Sequence, residues 1–108
     1  MTLREIKYYE TPNGSTPFED WFYSLDPRTQ AVVARMIQRV SRGESHKSVK
    51  ALKNGVFEIK FYIGPGYRVY FSYLESGGLI LLLGGDKSSQ KRDISKAKKY
   101  WREYGKST

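Results

Sequence analysis

The sequence predicts an α+β fold with an N-terminal strand, a two-helix hairpin, an antiparallel three-strand meander completing a small sheet, and a basic C-terminal helix. Three observations favour it. Apolar residues recur at helical spacing between residues 16 and 43, they alternate with polar residues between 56 and 74, and five aliphatic residues follow without interruption at 79–83. A chain of 108 residues is expected to form one domain over residues 1–108.

The first third of the chain carries clear start and stop signals. Leu3–Tyr9 is typical of a strand and ends in turn residues. In "TPFEDWFYSL", Thr16 suits an N-cap and Glu19 would complete a capping box. Asp26 is a second cap followed by proline, and Gly43 ends the helix that it opens.

The alternating segments predict a β-hairpin that turns at Gly64-Pro65-Gly66. The proposed register pairs Ile63 with Tyr67 and Lys60 with Tyr70, so that apolar residues share one face. The run Leu79–Leu83 predicts a further strand covered on both faces. Residues 44–55 are interpreted as a loop, and the last helix is expected to begin near Ser88 or Ser89 and to bury Ile94, Ala97 and Trp101.

The charge of the chain favours a polyanionic partner. There are 19 Lys and Arg against 11 Asp and Glu, a net charge of +8, which points first to nucleic acid. No cysteine is present, so disulfides and thiolate metal sites are excluded, and neither a metal nor a cofactor is expected. Because the N-terminus lacks a signal peptide and no run could cross a bilayer, we expect a cytoplasmic protein without a membrane partner.

The polar side of the predicted hairpin is the most informative group of side chains. It carries cations beside aromatic rings, namely Lys60, Arg68, Tyr62, Tyr70 and the carboxylate of Glu58. Such a face suits single-stranded RNA or DNA, because phosphates meet the cations and bases stack on the rings. An ordinary half-solvated sheet with cross-strand pairs is the alternative.

Three segments, "LKNGVFEIKF", "GPGYRVYF" and "LLLGGDKSSQKRDISKAKKYW", resemble the RelE/ParE toxin superfamily, in its phage-derived addiction module killer protein branch. The similarity extends from about Leu3 to Tyr104 and implies a RelE-like fold. It also implies the toxin of a type II toxin-antitoxin system, an mRNA interferase that cuts message on the ribosome and inhibits translation. The implied partners are the ribosome, mRNA and a cognate antitoxin with a helix-turn-helix domain. A ParE-like poison of DNA gyrase and a degenerate RNA-binding module are the alternatives.

The resemblance also implies site residues. Lys60 matches a lysine on the RelE sheet, Arg68 its phosphate-contacting arginine, and Lys87 a basic residue after the last strand. Glu58 stands where RelE has a second sheet lysine and is an alternative base, while Asp93 stands near a catalytic tyrosine. Metal-independent cleavage through the 2′-hydroxyl is therefore assigned to Lys60, Arg68, Lys87 and Glu58. Charge and aromatic pattern, rather than the resemblance, assign RNA binding to Lys50, Lys53, Tyr62, Tyr70, Lys91 and Lys98, with Lys50 and Lys53 equally explained as lysines that confer solubility. His46 is interpreted as a surface residue.

Overall fold

The computed structural model describes residues 5–44 and 46–107 and confirms the predicted α+β class. Three strands that are consecutive in the chain form the expected antiparallel meander. The elements are β1 (Ile6–Tyr8), α1 (Pro17–Phe22), α2 (Pro27–Ser41), β2 (Val49–Ala51), β3 (Phe57–Lys60), β4 (Arg68–Tyr73), β5 (Leu79–Gly85) and α3 (Gln90–Ser107). Short 3-10 turns at His46–Ser48 and Lys87–Ser89 precede β2 and α3. The predicted start of the first strand at Leu3 lies outside the described residues.

The five strands form one sheet in the order β1-β5-β4-β3-β2. β1 runs parallel to β5, and the remaining neighbours are antiparallel. The edge strand β2 was not predicted, since its three residues lie in a polar segment with no alternation. Pairing of Val49–Ala51 with Phe57–Ile59 forms this strand, so the interpretation of residues 44–55 as a loop was wrong in part.

The ends of α2 follow their sequence signals, whereas the start of α1 does not. Asp26 accepts a hydrogen bond from the Thr29 amide, and Gly43 ends α2 with a φ of 81°. The amide of Glu44 then donates to the Arg39 carbonyl at 2.9 Å, which is the pattern of a Schellman motif. The Thr16 side chain makes no capping hydrogen bond, so the predicted capping box is absent and α1 begins with its proline alone.

Both faces of the sheet are covered. Side chains of α1 and α2, such as Phe18, Val33 and Ile37, pack on one face with Leu79 and Leu81 of β5. The opposite face packs under α3. Its cluster consists of Tyr70, Ile80, Leu82 and Leu83 from the sheet, Val56 just before β3, Tyr9 just after β1, and Ala97 from α3. Two-sided burial of β5 is confirmed, and so is the inward stripe of α3, with Ala97 buried and Ile94 and Trp101 packed beside it.

The predicted register of the β3–β4 hairpin was wrong by two residues. Lys60 pairs with Arg68 and Glu58 with Tyr70, while the Phe61 amide donates to the Tyr67 carbonyl at 3.0 Å. The connection therefore spans residues 62–66 and is longer than the predicted Gly64-Pro65-Gly66 turn. Because side chains alternate with a period of two, a shift of two leaves each residue on its predicted face.

Candidate functional site

Cationic residues meet where three neighbouring strands end. Lys60 ends β3 opposite Arg68, which begins β4 and lies opposite Gly85 at the end of β5. The Lys87 amide donates to the Pro65 carbonyl at 3.4 Å, so the 62–66 loop lies against the turn that leads into α3. The structure thus brings the three predicted cations to one end of the sheet.

Only two of these cations face solvent. Lys60 and Lys87 are exposed, whereas Arg68 and Glu58 are only 5% and 3% exposed. Arg68 Nε lies 3.6 Å from Glu58 Oε2, and Arg68 Nη1 donates to the Gly66 carbonyl at 2.6 Å. The predicted open face is wrong at these positions because α3 covers them. In this arrangement, Arg68 anchors the 62–66 loop rather than presenting its guanidinium to solvent.

Polar residues at the start of α3 close over the buried pair. Gln90 Nε2 donates to Glu58 Oε2 at 3.0 Å, and the buried Asp93 accepts from Ser89 Oγ at 2.5 Å. The prediction did not include Gln90, since 32 residues separate it from Glu58 and no local pattern connects them. Together these groups form an interior polar cluster of Glu58, Arg68, Tyr70, Ser89, Gln90 and Asp93.

Tyr70 is fully buried in this cluster and does not present its ring to a base, which corrects its predicted place on a solvated face. Within the part of the chain that the structure describes, its hydroxyl makes no well-formed hydrogen bond, and its strongest polar neighbour is the Glu58 carboxylate. Burial is the largest cause that raises the pKa of Tyr70, and the negative charges of Glu58 and Asp93 raise it further. The tyrosine is therefore neutral at physiological pH.

The other residues predicted to bind RNA lie on the surface or near it. Tyr62 is 79% exposed, and Lys60 Nζ lies 5.2 Å from its ring centroid, a cation–π contact. Lys50 is exposed on the edge strand opposite Glu58, and Lys53 is exposed in the turn after β2. Lys91 is exposed and Lys98 half-buried on α3, while the side chain of His46 lies outside the described residues.

The glycines at the end of β5 bring the two helical layers close to the strand. A Cβ on Gly84 would lie 2.1 Å from the Trp21 ring, and one on Gly85 would lie 2.0 Å from Asp93 Oδ2. Side chains of α1 and α3 therefore approach the backbone of β5 closely at this pair.

The exposed lysines are the groups of the site that could bind an anion. Two ammonium groups flank a loop held by a buried arginine, an arrangement that can bind a phosphate and stabilise charge that develops on it. Within residues 5–44 and 46–107, no group of three or more His, Asp or Glu side chains is placed to hold a metal ion. No helix of the same ranges is both long and apolar enough to cross a membrane.

Comparison with known proteins gives two matches. The family model described as "Phage derived protein Gp49-like (DUF891)" matches residues 20–102. An uncharacterised protein of Haemophilus influenzae is 37% identical over 89 residues, which cover 82% of this chain and 89% of the relative. The residues that the family model matches include β3, β4, β5 and the first thirteen residues of α3.

Proposed function

The chain belongs to the Gp49-like family of phage-derived proteins, a RelE/toxin-like family, and from this membership we propose that it is the toxin of a type II toxin-antitoxin module. The proposed activity is ribosome-dependent cleavage of mRNA, which inhibits translation. Its partners are the ribosome with its message, and a cognate antitoxin with a helix-turn-helix domain. The observation that supports the activity is the pair of exposed lysines, Lys60 and Lys87, on either side of the loop that Arg68 anchors.

Cleavage through the 2′-hydroxyl needs a base for that hydroxyl, charge stabilisation at phosphorus, and an acid for the leaving 5′-oxygen. The ammonium groups of Lys60 and Lys87 are the accessible donors for the phosphate oxygens. Tyr62, which is exposed beside Lys60, offers a ring for a neighbouring base. We assign Arg68 and Glu58 to the support of this surface, since both are buried beneath it.

A second candidate is a ParE-like poison of DNA gyrase that performs no chemistry. The observation that favours it is the burial of Glu58, Arg68 and Tyr70, which leaves the surface with lysines but without an accessible carboxylate or phenol from the polar cluster. Such a protein would need a cationic surface for its target and no acid–base pair.

The test is cell-free translation, with the message mapped by primer extension. We compare the wild type with the double variant Lys60→Ala/Lys87→Ala, which removes both exposed donors. The control is Lys7→Ala/Lys106→Ala, because both lysines are exposed, lie outside the site and change the net charge equally. We expect the wild type and the control to cut translated message, and the site variant to cut about 100-fold more slowly or worse.

Each other result identifies a different protein. Intact message with normal translation contradicts the nuclease and leads to a gyrase supercoiling assay. Blocked translation with intact message identifies a ribosome binder without cleavage. Equal activity in the site variant and the control shows that the cutting groups lie elsewhere.

A further inference from the structure

A cleft that combines an aromatic ring with cations lies near the C-terminal end of α3, apart from the candidate site. It measures about 340 Å³ and is lined by Trp101, Asn54, Lys98, Arg102 and Gly105. The candidate site lies at the other end of the helix, where Gln90 contacts Glu58. The cleft therefore adjoins the turn between β2 and β3 and lies apart from the exposed lysines Lys60 and Lys87.

The Trp101 ring is fixed in this cleft by its neighbours. A Cβ on Gly55 would lie 2.7 Å from Trp101 Nε1, so the indole edge packs directly on the turn backbone. That turn is held by Ser72 Oγ, which donates to the Gly55 carbonyl at 2.7 Å. Trp101 also stacks on Tyr104 with 5.8 Å between ring centroids and 14° between planes. A half-buried ring held on two sides needs little ordering to receive a ligand.

Cations lead from the candidate site to this ring. Lys91, Lys98 and Arg102 are separated by seven and four residues, so they lie along one row of α3. The row covers about 16 Å at 1.5 Å per residue. Lys53 is exposed in the turn that also carries Asn54, and Lys50 is exposed on the neighbouring edge strand.

We propose that the Trp101 cleft binds a nucleobase of single-stranded RNA whose phosphates follow the row Lys91, Lys98 and Arg102. The inference rests on the proposed function, to which it adds a second anchoring point for the message. A flat ring beside cations suits a base attached to a phosphate backbone. An acidic peptide would use the cations alone and would make no contact that requires the exposed part of the ring.

The experiment measures binding of a fluorescein-labelled, 2′-O-methyl single-stranded RNA by anisotropy, so that cleavage does not enter. The charge variant is Lys98→Gln/Arg102→Gln, and its control is Arg92→Gln/Lys96→Gln. Each removes one lysine and one arginine four residues apart on α3, and the control pair lies exposed on another side of the helix. We expect the slope of log K against log salt to fall by about 1.4 in the charge variant, since each lost phosphate contact removes about 0.7. The slope of the control should stay unchanged.

The ring is tested by Trp101→Leu and Trp101→Phe. Leucine keeps an apolar side chain, smaller than the indole, without a π face, so binding should weaken by about 5- to 150-fold, the range that stacking on one base supports. Phenylalanine should retain most of the affinity. The charge variants alter only polar side chains on α3, so they test the cleft even where Trp101→Leu reduces folding.

Several results would contradict the proposal that the cleft binds RNA. These are equal losses in the two charge variants, no loss in Trp101→Leu, no binding of the RNA by the wild type, or displacement of the RNA by polyglutamate at equal charge concentration. A wild type that cuts translated message but shows any of these results loses the cleft and keeps the proposed function. A wild type that binds RNA through the cleft but does not cut translated message keeps the cleft and loses the proposed cleavage.

Discussion

The buried pair of Glu58 and Arg68 affects how any variant at the site should be interpreted. Removing one partner from a buried ion pair leaves an uncompensated charge and costs about 3–5 kcal/mol. The exposed pair of Arg42 and Glu44, with 3.1 Å between Arg42 Nε and Glu44 Oε2, contributes about 0–1 kcal/mol by comparison. Lost activity in Arg68→Ala would therefore report lost folding as readily as lost catalysis, whereas the exposed Lys60 and Lys87 avoid this ambiguity.

Tyr70 makes a pH-dependent prediction at the same scale. Its folded pKa is raised above the ordinary value of 10.0, so its contribution to stability is complete below pH 10.0 and is lost as pH rises through the folded pKa. Tyr70→Phe removes this loss together with a buried hydroxyl that makes no well-formed hydrogen bond among the described residues. A buried polar group left unsatisfied in this way costs about 1–3 kcal/mol. We expect the variant to be at least as stable as the wild type at pH 7 and to lose less stability by pH 11.

Guanidinium unfolding at the two pH values measures this difference. Tyr62→Phe is the matched control. It also removes one tyrosine hydroxyl, but from a side chain that is 79% exposed in the folded protein. The pKa values of Tyr8 and Tyr9 are also raised, first by burial, so a smaller alkaline loss should remain in every variant. An identical alkaline loss in wild type and Tyr70→Phe would contradict the prediction.

At the scale of elements, the end of β5 depends on the absence of side chains. Gly84→Ala would place a methyl group 2.1 Å from the Trp21 ring, which belongs to α1 and packs against the cluster on that face of the sheet. We expect the substitution to lower the free energy of unfolding by about 1–3 kcal/mol, as overpacking of a core does. Urea unfolding followed by circular dichroism measures it. Gly105→Ala is the control, because a Cβ there meets none of the described residues within 4 Å outside its own stretch of helix, and helix propensity favours alanine by up to about 1 kcal/mol.

The elements also show what local pattern could and could not predict. Alternation assigned Phe57, Ile59, Val69 and Phe71 to the correct face, but a shift of two residues preserves that parity, so only the length of the 62–66 loop could fix the register. The prediction that the polar face of the hairpin is solvated was wrong, and the sequence itself held the information to avoid this error. The run Leu79–Leu83 predicted two covered faces for β5, and β4 is its neighbour, so the helix that covers one also covers Arg68 and Tyr70.

At the scale of the whole molecule, the predicted cations were easier to identify than their surroundings. Lys60 ends β3, Arg68 begins β4 and Lys87 follows β5, so the antiparallel order of these strands brings the three residues to one end of the sheet. Their exposure depends on where α3 crosses the sheet, and contacts such as Gln90 with Glu58 connect residues far apart in sequence. Charge and pattern therefore predicted which cations share this end of the sheet, whereas packing decided which of them face solvent.

The two packed layers share β5, and this connection predicts cooperative unfolding of the whole molecule. Leu79 and Leu81 belong to the cluster under α1 and α2, while Ile80 and Leu82 belong to the cluster under α3. A layer that lost its packing would expose one whole face of the strand on which the other layer also depends. We therefore expect one transition with a single midpoint, as in small two-state proteins.

The chain offers one tryptophan in each layer as a reporter, Trp21 beside the first cluster and Trp101 beside the second. Trp101→Phe leaves Trp21 as the sole tryptophan, and Trp21→Phe leaves Trp101. In each variant, the urea midpoint from tryptophan fluorescence should coincide with the midpoint from far-UV circular dichroism, because both layers unfold with the sheet. An earlier fluorescence midpoint in the variant that retains Trp101 would show that α3 detaches first and that the polar cluster beneath it, with Arg68 and Tyr70, opens to solvent before the molecule unfolds.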